Sequence, residues 1–267
     1  MSFSSNFSNQ IYSEHGFWNT LSLARALGYQ DIKENYKRSL IGPFWFTIAM
    51  AVQIGAIGVI FGLLFGQNLQ TYLPFLATGI IAWTFISSTI NESANVLIVS
   101  ESMVKQIPLP PYLYVLRVLW KNLLILGHNL IVIPVLFIIL GFEFKMEMFL
   151  FVPGMVLVAL NLAWFGTLLS FIGVRFRDTP PMVSALLSIA FYATPIMWST
   201  DQLPQGVITE VVQLNPFFQL IDLIRNPLLG VSPSVQSWAI SIGAVFIGWF
   251  GTHLVAKRIS KLVPFWV

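Results

Sequence analysis

Residues 39–91 read SLIGPFWFTIAMAVQIGAIGVIFGLLFGQNLQTYLPFLATGIIAWTFISSTIN, without one Asp, Glu, Lys or Arg. A helix needs about 20 mostly apolar residues to cross a bilayer. The run is therefore long enough for two crossings, with polar Gln67-Asn68-Leu69-Gln70 as the turn between them. Just before it, Asp31, Lys33, Glu34, Lys37 and Arg38 crowd charge into a short segment. Gly42-Pro43 lets the backbone turn, and Phe44-Trp45-Phe46 supplies the aromatic anchor that favours a membrane interface.

The rest of the chain repeats the pattern. It is 56% hydrophobic and 9% charged, against roughly 25% charged in a soluble domain. Further charge-poor runs lie at 122–142, 148–174, 179–200 and 226–257. The expectation is an all-α integral membrane protein with six spans, at 44–65, 72–91, 122–141, 149–173, 180–199 and 237–256. Residues 1–43 form an N-terminal segment, 44–256 the transmembrane domain and 257–267 a tail. The first sixteen residues are polar and do not read as a cleaved leader. A net charge of +3 without a basic stripe argues against nucleic acid. The absence of cysteine excludes disulfides and thiolate chemistry.

Basic loops stay cytoplasmic. The N-terminal segment, the second and fourth loops and the tail carry all Lys and Arg except Lys145 and Arg225. This predicts that both termini are cytoplasmic. Upstream of the first span, Phe17, Leu21, Ala24, Gly28, Ile32 and Tyr36 share one helical stripe. That helix is an interfacial anchor, a partner-docking element, or both. Gly58, Gly62 and Gly66 form a small-residue ridge, read as a packing surface within the chain rather than between chains. Residues 201–236 are apolar at helical spacing, yet Asn215-Pro216 and Asn226-Pro227 break them. Two short helices in the outer leaflet, at the mouth of a pathway, compete with a plain extracellular cap.

No Asp, Glu, Lys or Arg falls inside a predicted span, so an ion-coupled relay has no carrier apart from His128, with His253 near the end of the sixth span. His15, His128 and His253 are too scattered for a metal site. No Gly-Lys pair occurs, which excludes a GxxxxGK[ST] phosphate loop. An acyltransferase-like enzyme would need a buried His or carboxylate pair, and none is visible. Energy for uphill transport must come from another polypeptide. Residues 92–103 could form a short cytoplasmic helix, stopped by Pro108, Pro110 and Pro111, or a mere connector. Trp83, Phe85, Phe191, Tyr192 and Trp198 sit in spans or at their outer ends. Their rings suit the C–H faces of sugars; lipid-facing or core packing is the competing use.

Several segments in order resemble a known family. DIKENYKRSLIGPFW (31–45), VRFRD (174–178), ATPIMW (193–198) and LNPFFQLIDLIRNPLL (214–229) are similar to the permease subunits of ABC-2 type polysaccharide exporters. The resemblance covers most of residues 25–260. It implies re-entrant helices between the fifth and sixth spans, with Asn215, Pro216 and Arg225 at the periplasmic exit. It implies a homodimer around a central channel in a bacterial inner membrane, moving a lipid-linked polysaccharide of the O-antigen, teichoic acid or capsule kind. Two copies of a separate ATPase would hold the ATP and Mg, so the chain itself needs no cofactor. Those copies would dock against Glu92, Asn95, Glu101, Met103, Lys105 and Tyr36. Arg175, Arg177 and Asp178 would brace the cytoplasmic end, the last two as an ion pair. The same frame also serves exporters of small hydrophobic molecules or lipids.

Overall fold

The computed structural model describes residues 17–35, 37, 39, 41–64, 66–107, 109–200 and 206–267. Tyr36 and Pro108 lie outside the described residues. All regular structure among them is helical.

Helix α1 (Phe17–Asn35) buries Thr20, Ala24, Gly28 and Ile32, close to the predicted stripe. After Gly42, at φ +63°, the chain enters α2 (Phe44–Leu64). Met50, Ile54, Gly58 and Gly62 are its buried face. The two glycines sit under Leu73 and Leu69 of α3 (Leu69–Val99), so the ridge packs within the chain as expected. Gly66 is instead a left-handed turn residue, at φ +60°.

Helix α3 is the axis of the bundle. Its side-chain cap comes from Asn68, whose Oδ1 accepts from the Gln70 amide at 2.9 Å. At 31 residues it is longer than a bilayer requires, because the predicted span and the start of the short cytoplasmic helix expected at 92–103 are one element. Only at Ser100 does it break, giving α4 (Glu101–Gln106).

The third span is also longer than expected. It runs as α5 (Pro111–Asn129) and α6 (Val132–Leu140). The break between them follows from Pro134, which has no amide to bond the Leu130 carbonyl. A 3₁₀ turn (Met146–Leu150) leads into α7 (Phe151–Arg175). These extended helices carry charge that the shorter predicted spans excluded: Glu92 in α3, Arg117 and Lys121 in α5.

Among the described residues, five helical stretches are long and apolar enough to cross a membrane: Phe44–Leu64, Leu69–Val99, Pro111–Leu140, Met146–Arg175 and Val235–Ile259. The predicted fifth span is shorter. Helix α8 (Thr179–Ala193) has 15 residues, or about 22 Å against a hydrocarbon core of about 30 Å. Pro195 stops it by forcing Thr194 out of helical geometry, to φ −103° and ψ 137°.

Two short helices follow, α9 (Val207–Gln213) and α10 (Pro216–Leu228), as the Asn-Pro pairs suggested. Asn215 caps α10, accepting from the Phe217 amide at 2.9 Å. Pro227, by contrast, lies in its last turn, and the chain leaves at Gly230, with φ +70°. Helix α10 packs against α7, α3 and α11 (Val235–Ile259). A last turn, α12 (Val263–Trp266), tucks against α4 and α7.

Candidate functional site

Three groups of the predicted residues occupy three different levels of the fold. The first lies where α3 and α8 face each other beside α2. Trp83, Phe191 and Tyr192 line one open groove of about 420 Å³ with Ser87, Ser88, Asn91, Ser184 and Ser188. The rings of Trp83 and Phe191 stand 5.8 Å apart, and Phe217 meets Trp83 at 5.4 Å. Ser184 donates to Asn91 Oδ1 at 2.7 Å, tying the helices together across the groove. Tyr192 is 74% exposed. Aromatic faces alternating with hydroxyls offer weak, repeated contacts along a surface. The hydroxyl row was readable as Ser184 and Ser188, one turn apart in an apolar helix. Trp198 does not line the groove; its indole donates to the carbonyl of Tyr192, which does, at 3.3 Å. Phe85 does not belong to it; it is buried on another face of α3.

The second group is the end of the bundle that carries α4. Val104 anchors α4 in a small core with Val96, Leu97, Tyr114, Val174 and Val263. Glu101 and Lys105 point outward and pair at 2.6 Å. The Lys105 ammonium, and more weakly Arg177, holds the Glu101 carboxyl below the usual range. Met103 is half-buried at the edge of this core. Arg175 lies over the Trp266 ring at 5.3 Å, joining the α7–α8 turn to α12. Among the described residues Arg177 and Asp178 form no ion pair, since both are exposed and neither reaches the other. Glu92 and Asn95 belong to α3 and not to α4. The Glu92 carboxylate is turned inward to Lys121, at 2.5 Å.

That pair belongs to a set which the sequence did not reveal. Arg117 binds Asp31 of α1 through two hydrogen bonds, at 2.7 and 2.5 Å. One turn later, Lys121 binds Glu92. Between them, Trp120 carries the Arg25 guanidinium over its ring at 4.7 Å. Helix α5 is thus cross-linked to α1 on one side and α3 on the other. Asp31→Arg or Arg117→Asp alone should cost about 1.5–3 kcal/mol, because each strands a half-buried charge. The double swap should recover most of that loss in thermal melting of the purified protein. Equal loss in all three would show that the pair contributes nothing.

The third group closes the opposite end. Arg225 is only 4% exposed. It donates to the Pro195 carbonyl at 2.6 Å and covers the Phe75 ring at 4.4 Å. Asn215 donates to Thr194 Oγ1 at 3.0 Å. Asp222, not foreseen as a site residue, accepts from Ser237 at 2.5 Å and from the Ser234 amide at 3.0 Å. These contacts fasten α10 to the unwound end of α8 and the start of α11.

Residues 27–229 match the family described as ABC-2 type transporter. The chain belongs to that family. It is 28% identical over 210 residues to an O-antigen export system permease protein RfbA of Klebsiella pneumoniae, covering 75% of this chain and 79% of that protein. The protein of the same name in Myxococcus xanthus is 23% identical over 202 residues, with 73% and 76% covered. This ABC-2 chain is therefore a multi-pass membrane protein and a component of a transporter.

Proposed function

We propose that this chain is the membrane subunit of an ATP-driven exporter of lipid-linked polysaccharide, working as a homodimer in a bacterial inner membrane. The observation that carries the reading is the groove between α3 and α8. Its aromatic rings and serine hydroxyls suit a hydroxylated polymer better than a hydrophobic drug, and the relatives are named for O-antigen export. In this reading α8, extended by the turn at 194–199, makes a sixth crossing, and both termini face the cytosol. Helices α9 and α10 form a re-entrant cap over the exit. Two copies surround the groove and join it into a channel.

A separate ATPase then docks on α4, whose outward groups are Glu101 and Lys105. Closure of the ATPase pair pushes α4, and α3 continues from it through Ser100 with little slack. Glu92 and Lys121 lie behind this contact and transmit it to α5. The test is co-reconstitution with the cognate ATPase and a short lipid-linked oligosaccharide. Tyr192→Ala should lower export about tenfold, the loss expected when one exposed stacking ring is removed, while ATPase activity persists. Export of a hydrophobic dye in preference to the oligosaccharide would overturn the substrate assignment.

A further inference from the structure

A second crevice adjoins the groove, sharing Gln53 and Ser88 with it, and lies between α2, α3 and α5 with a volume of about 360 Å³. Its polar lining comes from Gln53, Ser88, Glu92, Asn122 and Asn129, and Trp45 stands at its side. All of these groups carry acceptor oxygens, and two of them matter most. The Glu92 carboxylate presents one oxygen to Lys121 and Asn122 and keeps further acceptor capacity. The Asn129 side-chain oxygen is buried and meets no donor among the described residues, and the residue as a whole is 4% exposed. A buried acceptor left without a donor is destabilising, so an occupant that supplies a donor is favoured.

The surroundings say what kind of occupant this is. Trp45 marks the start of α2 and is half-exposed, as aromatic residues at a lipid headgroup level are. Along the same helix Ile48, Val52 and Val59 are bare, which suits acyl chains. The charges are balanced, since Glu92 is paired with Lys121. A strongly anionic ligand therefore finds no surplus cation.

We infer that this crevice binds the headgroup of a phospholipid that carries hydrogen-bond donors, as ethanolamine and glycerol headgroups do and choline does not. The donor reaches Asn129 and Glu92, and the acyl chains lie along α2. Lipid retention is read on the purified chain without substrate or ATPase, so this inference can stand or fall without the export reading.

The full-length chain, purified in detergent, is stripped of lipid and titrated with phosphatidylethanolamine, phosphatidylglycerol or phosphatidylcholine of identical acyl chains. Bound lipid is counted by native mass spectrometry. The ethanolamine and glycerol lipids should be retained roughly tenfold better than the choline lipid, the worth of one or two buried hydrogen bonds. Asn129→Leu should abolish the difference. The double variant Gln53→Leu and Ser88→Ala changes less buried positions and should narrow it even if Asn129→Leu fails to fold. Equal retention of all three lipids by the wild type, or discrimination undiminished in the variants, would overturn the inference.

Discussion

Arg225→Ala is expected to destabilise the chain by about 3–5 kcal/mol, the range for breaking a buried charged contact. The guanidinium has three neighbours that offset its burial: the Pro195 carbonyl, the Phe75 ring and the field of Asp222. Truncation removes all three and leaves a void beneath α10. It also releases the turn at 194–199, whose Ile196 is fully buried against Gly79 of α3. Arg225→Lys should recover only part of the loss, because an ammonium keeps the charge but lacks the flat face that covers Phe75. Phe75→Leu should cost least, since the Pro195 contact survives it. Thermal melting in detergent reads the order directly. Loss as small in Arg225→Ala as in Phe75→Leu would mean that the arginine does not hold this end of the fold together.

The all-helical membrane class, five of the six expected spans and several caps were legible because hydropathy and Gly/Pro chemistry act locally. The charge-free run at 39–91 divides where Gln67-Asn68 divides it, and Asn215 starts a helix because its side chain bonds the next turn. Helix ends were legible only in part. Pro195 stopped α8 early, since the residue before a proline avoids the helical region. Glu92 did not stop α3, because Lys121 sits opposite and takes up its charge. No spacing in the sequence announces that partnership, or the one between Asp31 and Arg117.

The candidate site divides in the same way. Trp83, Phe191 and Tyr192 were readable as aromatic residues in spans, and the fold brings them to one groove. Phe85 could not be separated from them by type. Two positions further along α3 turns it to a different side, into a different crevice. Asp222 was invisible as a site residue because its partners, Ser234 and Ser237, come from the next helix.

Gly173→Ala should be as damaging as any single methyl in this protein. A Cβ at that position would fall inside contact distance of the Ala94 carbonyl oxygen, which is backbone and cannot rotate away. Gly154 meets the Leu223 carbonyl of α10 in the same manner, and Gly166 meets Ser93 and Val115. Helix α7 therefore approaches α3 and α10 through a row of missing side chains. In lipid, where close van der Waals packing replaces the hydrophobic drive between helices, that proximity is what binds them. Alanine is the better helix former by about 1 kcal/mol, so any loss at Gly173 is net of an intrinsic gain. The expected cost is about 2–4 kcal/mol, above the usual 1–3 for overpacking because the obstruction is main chain. Gly243→Ala serves as the internal control: it lies in α11, and among the described residues nothing stands within 4 Å of its new methyl. It should melt at or above the wild-type temperature. If Gly173→Ala were to melt alongside it, α7 and α3 would have room that this packing denies them, and the long α3 could not serve as the rigid link between α4 and the groove.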